Sequence, residues 1–271
     1  MRTAVLLLAG FVAWLIAPPA SLAGALFSDG YLGLTQPELL AKLGPPHKIR
    51  IRLAAQRVFR YHTFEEWETI LKDTMTVSGG EYVYQFTREK VYVRYSFQFK
   101  EEPTPNSDTP TLTVNLVDIE FLSTDPQAGS HENPVSIPFA VPIADVQKLV
   151  PEFKPSRADE APTYRSNLFV ILIQDQVSKE ARKLVRERVK TDYDWSLSYR
   201  LYTTEEFPTR INLADTVNRI EFTIDSLQFI KDHYQLTHDS MINPFSAKAA
   251  SLPPPADPAV KKKIPRPRYA P

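Results

Sequence analysis

The chain has 271 residues, 32 Lys+Arg against 32 Asp+Glu, and no cysteine. The missing cysteine excludes disulfides, thiolate metal sites, cysteine nucleophiles and an acylated lipobox cysteine. Zero net charge argues against nucleic acid as the main partner, because neutralising phosphates takes a basic excess.

Residues 1–23 read as a secretory signal. Arg2 is the lone positive charge of a short n-region, and Val5 to Ile16 is an almost unbroken apolar run. Pro18 and Pro19 break any helix there, and Ser21-Leu22-Ala23 puts small residues at the cleavage positions. The run is too short for the roughly 20 residues of a spanning helix, so cleavage is expected, with a retained N-terminal anchor as the alternative. No later window approaches 18 apolar residues, and no transmembrane span is expected after the signal. The expected location is therefore periplasmic or secreted, and an exported chain without cysteine fits a bacterial periplasm.

A first α+β unit is expected over residues 28–123. Thr35 and Glu38 form a capping box, Pro37 sits in the first turn, and Leu39, Leu40 and Leu43 make the buried stripe. Gly44 and Pro45-Pro46 stop this helix. Short strands are expected around 48–53 and 57–62, then a second helix capped by Thr63 and Glu66. Tyr82, Tyr84 and Phe86 alternate along one strand, Thr87–Lys90 turn the chain, and Val91, Val93, Tyr95, Phe97 and Phe99 alternate along the next. Leu112, Val114 and Leu116 alternate in a third strand; the phase then slips to Val117, Ile119 and Phe121, which predicts a bulge between Leu116 and Val117.

Residues 124–140 read as a linker, and 141–242 as a second α+β unit. Pro142 opens a short helix stopped by Pro151, Leu168–Ile173 is a fully buried strand, and Ser178 caps a helix running to Lys190. Trp195 to Leu201 and Ile220 to Ile224 alternate as strands. Lys42-Leu43-Gly44-Pro45 resembles Lys148-Leu149-Val150-Pro151, and Val117–Phe121 resembles Asn218–Phe222, so the two units read as degenerate copies of one helix-helix-meander unit. The predicted fold class is α+β, helices packed on antiparallel sheets. Residues 243–271, rich in proline and carrying Lys261 to Lys263, Arg266 and Arg268, read as a disordered tail able to touch anionic surfaces weakly.

The start of the first unit resembles the SmpA/OmlA (BamE-like) envelope family. The matching residues are Gly33-x-Thr35, Leu39 and Leu40, and Leu43-Gly44-x-Pro46, followed by the aromatic strands Tyr82–Phe86 and Val91–Phe99. The resemblance covers about 90 residues. It implies a helix pair against a three-stranded sheet and a non-enzymatic accessory role in outer-membrane assembly.

No motif selects a reaction. There is no G-x-S-x-G elbow, P-loop or G-x-G-x-x-G. His233 and His238 are five apart, about 140° off one helical face, so they do not chelate together, and His131-Glu132 lies in the linker. The adjacent carboxylates Glu65-Glu66, Glu101-Glu102 and Glu205-Glu206 point in different directions. No catalytic residue, cofactor or metal is expected. The candidate contact residues are Tyr82, Tyr84, Tyr92 and Arg94 on the hairpin and Lys183 and Arg186 on the basic helix. The expected function is an exported, non-enzymatic envelope protein working through protein–protein contacts. Two alternatives stay open: a small-ligand or lipid carrier with an apolar pocket between sheet and helices, and a hydrolase whose Ser or Asp meets one of the five histidines.

Overall fold

The computed structural model describes residues 30–53, 58–66, 80–102, 111–123, 137–161, 163–165, 169–174, 195–203, 211–226 and 241–253. The elements are α1 (Gln36–Leu43), β1 (Lys48–Leu53), β2 (Val58–His62), β3 (Glu81–Arg88), β4 (Val91–Glu102) and β5 (Thr111–Leu122). After these come β6 (Val141–Pro142), α2 (Val146–Leu149), β7 (Thr163–Arg165), β8 (Phe169–Gln174), β9 (Trp195–Tyr202), β10 (Thr216–Val217), β11 (Arg219–Ser226) and α3 (Ala247–Ser251). The architecture is sheet-rich. Nine strands form one antiparallel sheet in the order β2-β1-β3-β4-β5-β11-β9-β8-β7, and β6 and β10 make a separate pair.

The helix signals act as their chemistry requires. The Thr35 side chain accepts from the Glu38 amide, and Glu38 answers at the Thr35 N–H at 2.8 Å. Gly44 ends α1 at φ +76°, a conformation open to glycine. Thr63 and Glu66 form the same reciprocal cap. Leu39, Val146 and Leu149 belong to the buried cluster that also holds the apolar residues of the sheet.

Period-2 alternation gives the sheet two different faces. On one, Tyr84, Tyr95, Ile119, Ile220, Leu201 and Val170 stand in cross-strand register, all buried. Their neighbours Phe97, Phe121, Tyr199 and Phe222 fill the rest of this core. Rings meet edge to face, as in Tyr84–Phe97 at 5.6 Å and Tyr199–Phe222 at 5.0 Å, the geometry aromatic quadrupoles favour. The other face carries charge and is treated below.

The two sequence units share this sheet through the β5–β11 pairing. Ile119 lies directly opposite Ile220, with Glu120 opposite Arg219 and Asp118 opposite Glu221. Three contacts then recur. Arg94 pairs Glu120 across β4 and β5, and Arg200, 106 residues later, pairs Glu221, 101 residues later, across β9 and β11. The exit of α1 is closed by Gly44 N–H to Leu40 O, and that of α2 by Val150 N–H to Val146 O, again 106 residues on. Each helix is entered from a short antiparallel contact: Thr35 bridges Thr113, and Pro142 pairs Thr216.

Three local expectations need correction. The hairpin turn is two residues, not four: β3 runs to Arg88, and Glu89 and Lys90 take φ +48° and +66°. That is the twist-matching geometry of a two-residue hairpin. The extra residue of the bulge is Asn115, because Gln98 pairs Leu116 and Phe99 pairs Val114. Leu116 therefore shares the face of Asp118 and Glu120, not that of Val114. Third, order extends past residue 243. Met241 N–H bonds Thr163 O, buried Asn243 donates to Ser156 O, and Phe245 stacks edge-on against Phe153. Ser246 then caps α3. The composition of the tail hid a docked segment at its start.

Candidate interaction site

Tyr82 and Tyr84 lie on the aromatic face, 5% and 1% exposed, among the core residues. The Tyr84 hydroxyl donates to Gly44 O at 2.8 Å, tying β3 to the exit of α1, and burial pushes its pKa up. These two residues hold the fold together and present no docking surface. Arg94 is buried as well; its Nε and Nη2 both donate to Glu120 Oε2, at 2.8 and 2.5 Å. Tyr92 is half-buried on the same polar face, one residue pair from Arg94 along β4. Lys183 and Arg186 lie outside the described residues, as do the signal segment, the Ser178–Lys190 helix, His131, His233 and His238.

The polar face of the sheet is a buried charge seam. Arg219 Nε donates to Asp118 Oδ1 at 2.6 Å and its Nη2 to Glu221 Oε2 at 3.2 Å. Arg200 donates to Glu221 Oε1, and the Tyr202 hydroxyl to Glu221 Oε2 at 3.3 Å. The Arg219 guanidinium stands 4.4 Å over the Tyr202 ring. Three guanidiniums (Arg94, Arg200, Arg219) thus meet three carboxylates (Asp118, Glu120, Glu221). Burial raises the Asp118 carboxyl to about 7; Arg219 opposes the shift and Glu120 and Glu221 add to it. Burial, then the Glu221 charge, raises the Tyr202 phenol to about 12. Burial opposes charge on Arg219, but Asp118, Tyr202 and Glu221 together outweigh it and hold the guanidinium above its ordinary range. Arg and Glu alternate here on strand faces that the sequence presents as polar and solvated.

A second ionic centre joins the halves on the aromatic side. Glu152, just past α2, accepts from the Tyr31 hydroxyl at 2.8 Å and the Tyr95 hydroxyl at 3.0 Å. Arg88 stands 3.9 Å from the same carboxylate, donates to Tyr95 Oη at 2.9 Å and also donates to Leu149 O. Burial, then the Glu152 charge, drives the Tyr95 pKa up.

The exposed apolar surface falls where composition read as linker. Ile137 is 52% exposed, Phe139 40% and Leu213 40%, the large hydrophobic side chains most open to solvent among the described residues. Residues 137–140 form a strap held by backbone: Ser123 N–H bonds Ile137 O and Phe139 N–H bonds Phe121 O, both at 2.9 Å. Leu122 bridges Pro138, and the chain runs on into β6. In an extended segment alternate side chains share a side. Pro138 and Ala140 line a cavity of about 270 Å³ with Thr203, Thr216, Val217 and Asn218, and Ile137 and Phe139 do not. Leu213 stands on the loop before β10, its carbonyl accepting from Ala144 N–H. No signal in the sequence marked this strap, because backbone pairing to the end of β5 orders it, not a propensity of its own.

Among the described residues no group of three or more His, Asp or Glu could hold a metal ion, and no helix is long and apolar enough to cross a membrane. Comparison with known proteins finds no matching family model, no matching curated protein and no matching solved structure.

Proposed function

We propose that this chain is an exported, non-catalytic accessory of the bacterial envelope that works by binding another protein, in the manner of the SmpA/OmlA family its start resembles. The observation that carries this reading is the strap: Ile137 and Phe139 stand on one side of a backbone-anchored segment beside a small cavity. A large apolar side chain held open on a rigid support is what contact hot spots are built from. The ionisable groups of the seam neutralise one another in pairs, which favours a structural role for them over a chemical one. The aromatic layer is filled by its own rings, and this favours protein contact over a ligand carried between sheet and helices.

The same reading includes a degenerate duplication. It is supported by the recurring Arg–Glu pair, the recurring helix exits and the Ile119–Ile220 pairing, which places equivalent residues face to face. In this picture the strap pairs antiparallel with the end of β5, the strand that meets the second copy.

The test is isolation of the tagged chain from the envelope, beside a double variant Ile137→Asp and Phe139→Asp. The proposal expects a stoichiometric partner with the wild type and its loss from the variant. A wild type that emerges from the envelope with no stoichiometric partner contradicts it.

A further inference from the structure

A second cavity, of about 380 Å³, lies between α2 and the loop that follows it, bounded by Gln147, Lys154, Pro155, Ser156, Arg157 and Phe245. Its volume falls in the range of small-molecule sites, roughly 300–1,000 Å³. Among the described residues that line it there is no carboxylate. Neighbouring cations are engaged elsewhere: Lys148 with Asp145 at 2.6 Å, and Arg88 with Glu152. The side chains of Lys154 and Arg157 have no ion-pair partner among the described residues.

The loop is fixed from below by buried groups. Asn243, 2% exposed, donates to Ser156 O at 2.8 Å, and the fully buried Tyr199 donates to Lys154 O at 3.4 Å. Ser156 Oγ accepts from Ala158 N–H at 3.2 Å, which tightens the turn. Asp159, two residues past Arg157, accepts from the Lys248 N–H at 3.1 Å. Two exposed cationic side chains, carried on a loop whose backbone is fixed, thus line a cavity whose walls include Phe245 and Pro155. Phe245 is itself seated against Phe153, 5.9 Å between centroids.

We infer that this cavity binds the phosphate of an organic phosphate ester, with Arg157 and Lys154 on the oxygens and the ester's apolar part against Phe245 and Pro155. The Arg fork matches phosphate oxygens, and the ammonium adds a second point charge. Two positive charges, unopposed among the described residues, suit a phosphate that carries one negative charge as a diester and close to two as a monoester. The ester is either a free soluble molecule or a phospholipid headgroup, which share this chemistry.

The experiment uses phenyl phosphate as the soluble probe, phenol as its uncharged counterpart, and vesicles of phosphatidylglycerol against phosphatidylcholine. Amide resonances of the full chain are followed by NMR during each titration. The expected result is saturable shifts at Ser156, Arg157 and Phe245 with phenyl phosphate and none with phenol. A Lys154→Ala/Arg157→Ala variant with an unchanged melting temperature should bind at least tenfold more weakly. Arg157→Lys should recover only part of the affinity, because it keeps charge and loses the fork. Attachment to phosphatidylglycerol vesicles that depends on Lys154 and Arg157 identifies a headgroup; binding of phenyl phosphate alone identifies a soluble ester. Shifts confined to the basic stretch 261–268, or binding unchanged in the double alanine variant, would overturn the assignment.

Discussion

The Tyr95 hydroxyl donates to Glu152 at 3.0 Å, and this bond joins β4 to the exit of α2, 57 residues later. Tyr31 and Arg88 converge on the same carboxylate. Removing it leaves two phenols and a guanidinium facing the gap. Glu152→Ala should therefore cost about 2–3 kcal/mol, within the range for orphaned buried partners of a charged group. Tyr95→Phe removes one donor to Glu152 and one acceptor of Arg88, but Arg88 keeps Leu149 O and Glu152 keeps Tyr31, so it should cost less, about 1 kcal/mol. Urea unfolding of the two variants checks the ordering; equal losses would show that the carboxylate is not the shared anchor.

The Glu89-Lys90 turn holds two side chains at positive φ. Each L-residue in that region carries a penalty that glycine avoids and asparagine tolerates. Replacing the pair by Asn-Gly should stabilise the chain by about 1 kcal/mol without changing the register of β3 and β4. Thermal unfolding measures the gain. A loss instead would mean that these side chains make contacts worth more than the backbone strain.

Asp118 predicts a pH dependence with a definite sign. Its carboxyl is raised from the ordinary 3.8 to about 7, so the folded chain holds that proton more tightly than the unfolded chain. The resulting stabilisation is complete below about pH 4 and is lost as pH rises through about 7. Asp118→Asn has no proton to exchange. Wild type should lose stability relative to the variant between about pH 4 and 7, and the difference should level off above that. A difference independent of pH across this window, measured by urea melts, would contradict the placement of Asp118 in the seam.

What the sequence shows best is local. The Thr35 and Thr63 caps, the Gly44 stop and the strand at residues 48–53 follow from short-range chemistry and appear where the residues ask for them. What it hides is long-range. Alternation places Arg94, Asp118, Arg200 and Glu221 on polar strand faces, but periodicity does not tell a solvated face from a buried one. Register across β5 and β11 converts those residues into a seam. The strap at 137–140 is invisible for the same reason: its order comes from backbone bonds to Phe121 and Ser123, not from any propensity of its own Ile-Pro-Phe-Ala sequence. Apolar periodicity points to a bulge after Leu116 rather than at Asn115, because Leu116 is apolar yet lies on the polar face, opposite Gln98 on β4 and Thr223 on β11.

The central claim is that the strap meets another protein. A photo-crosslinking residue in place of Phe139, with a second at exposed Lys42 as the control, tests it most directly in intact cells. The account predicts one discrete protein adduct from position 139, absent from position 42 and lost when Ile137 is also changed to Asp. Equal, diffuse labelling from both positions would contradict it.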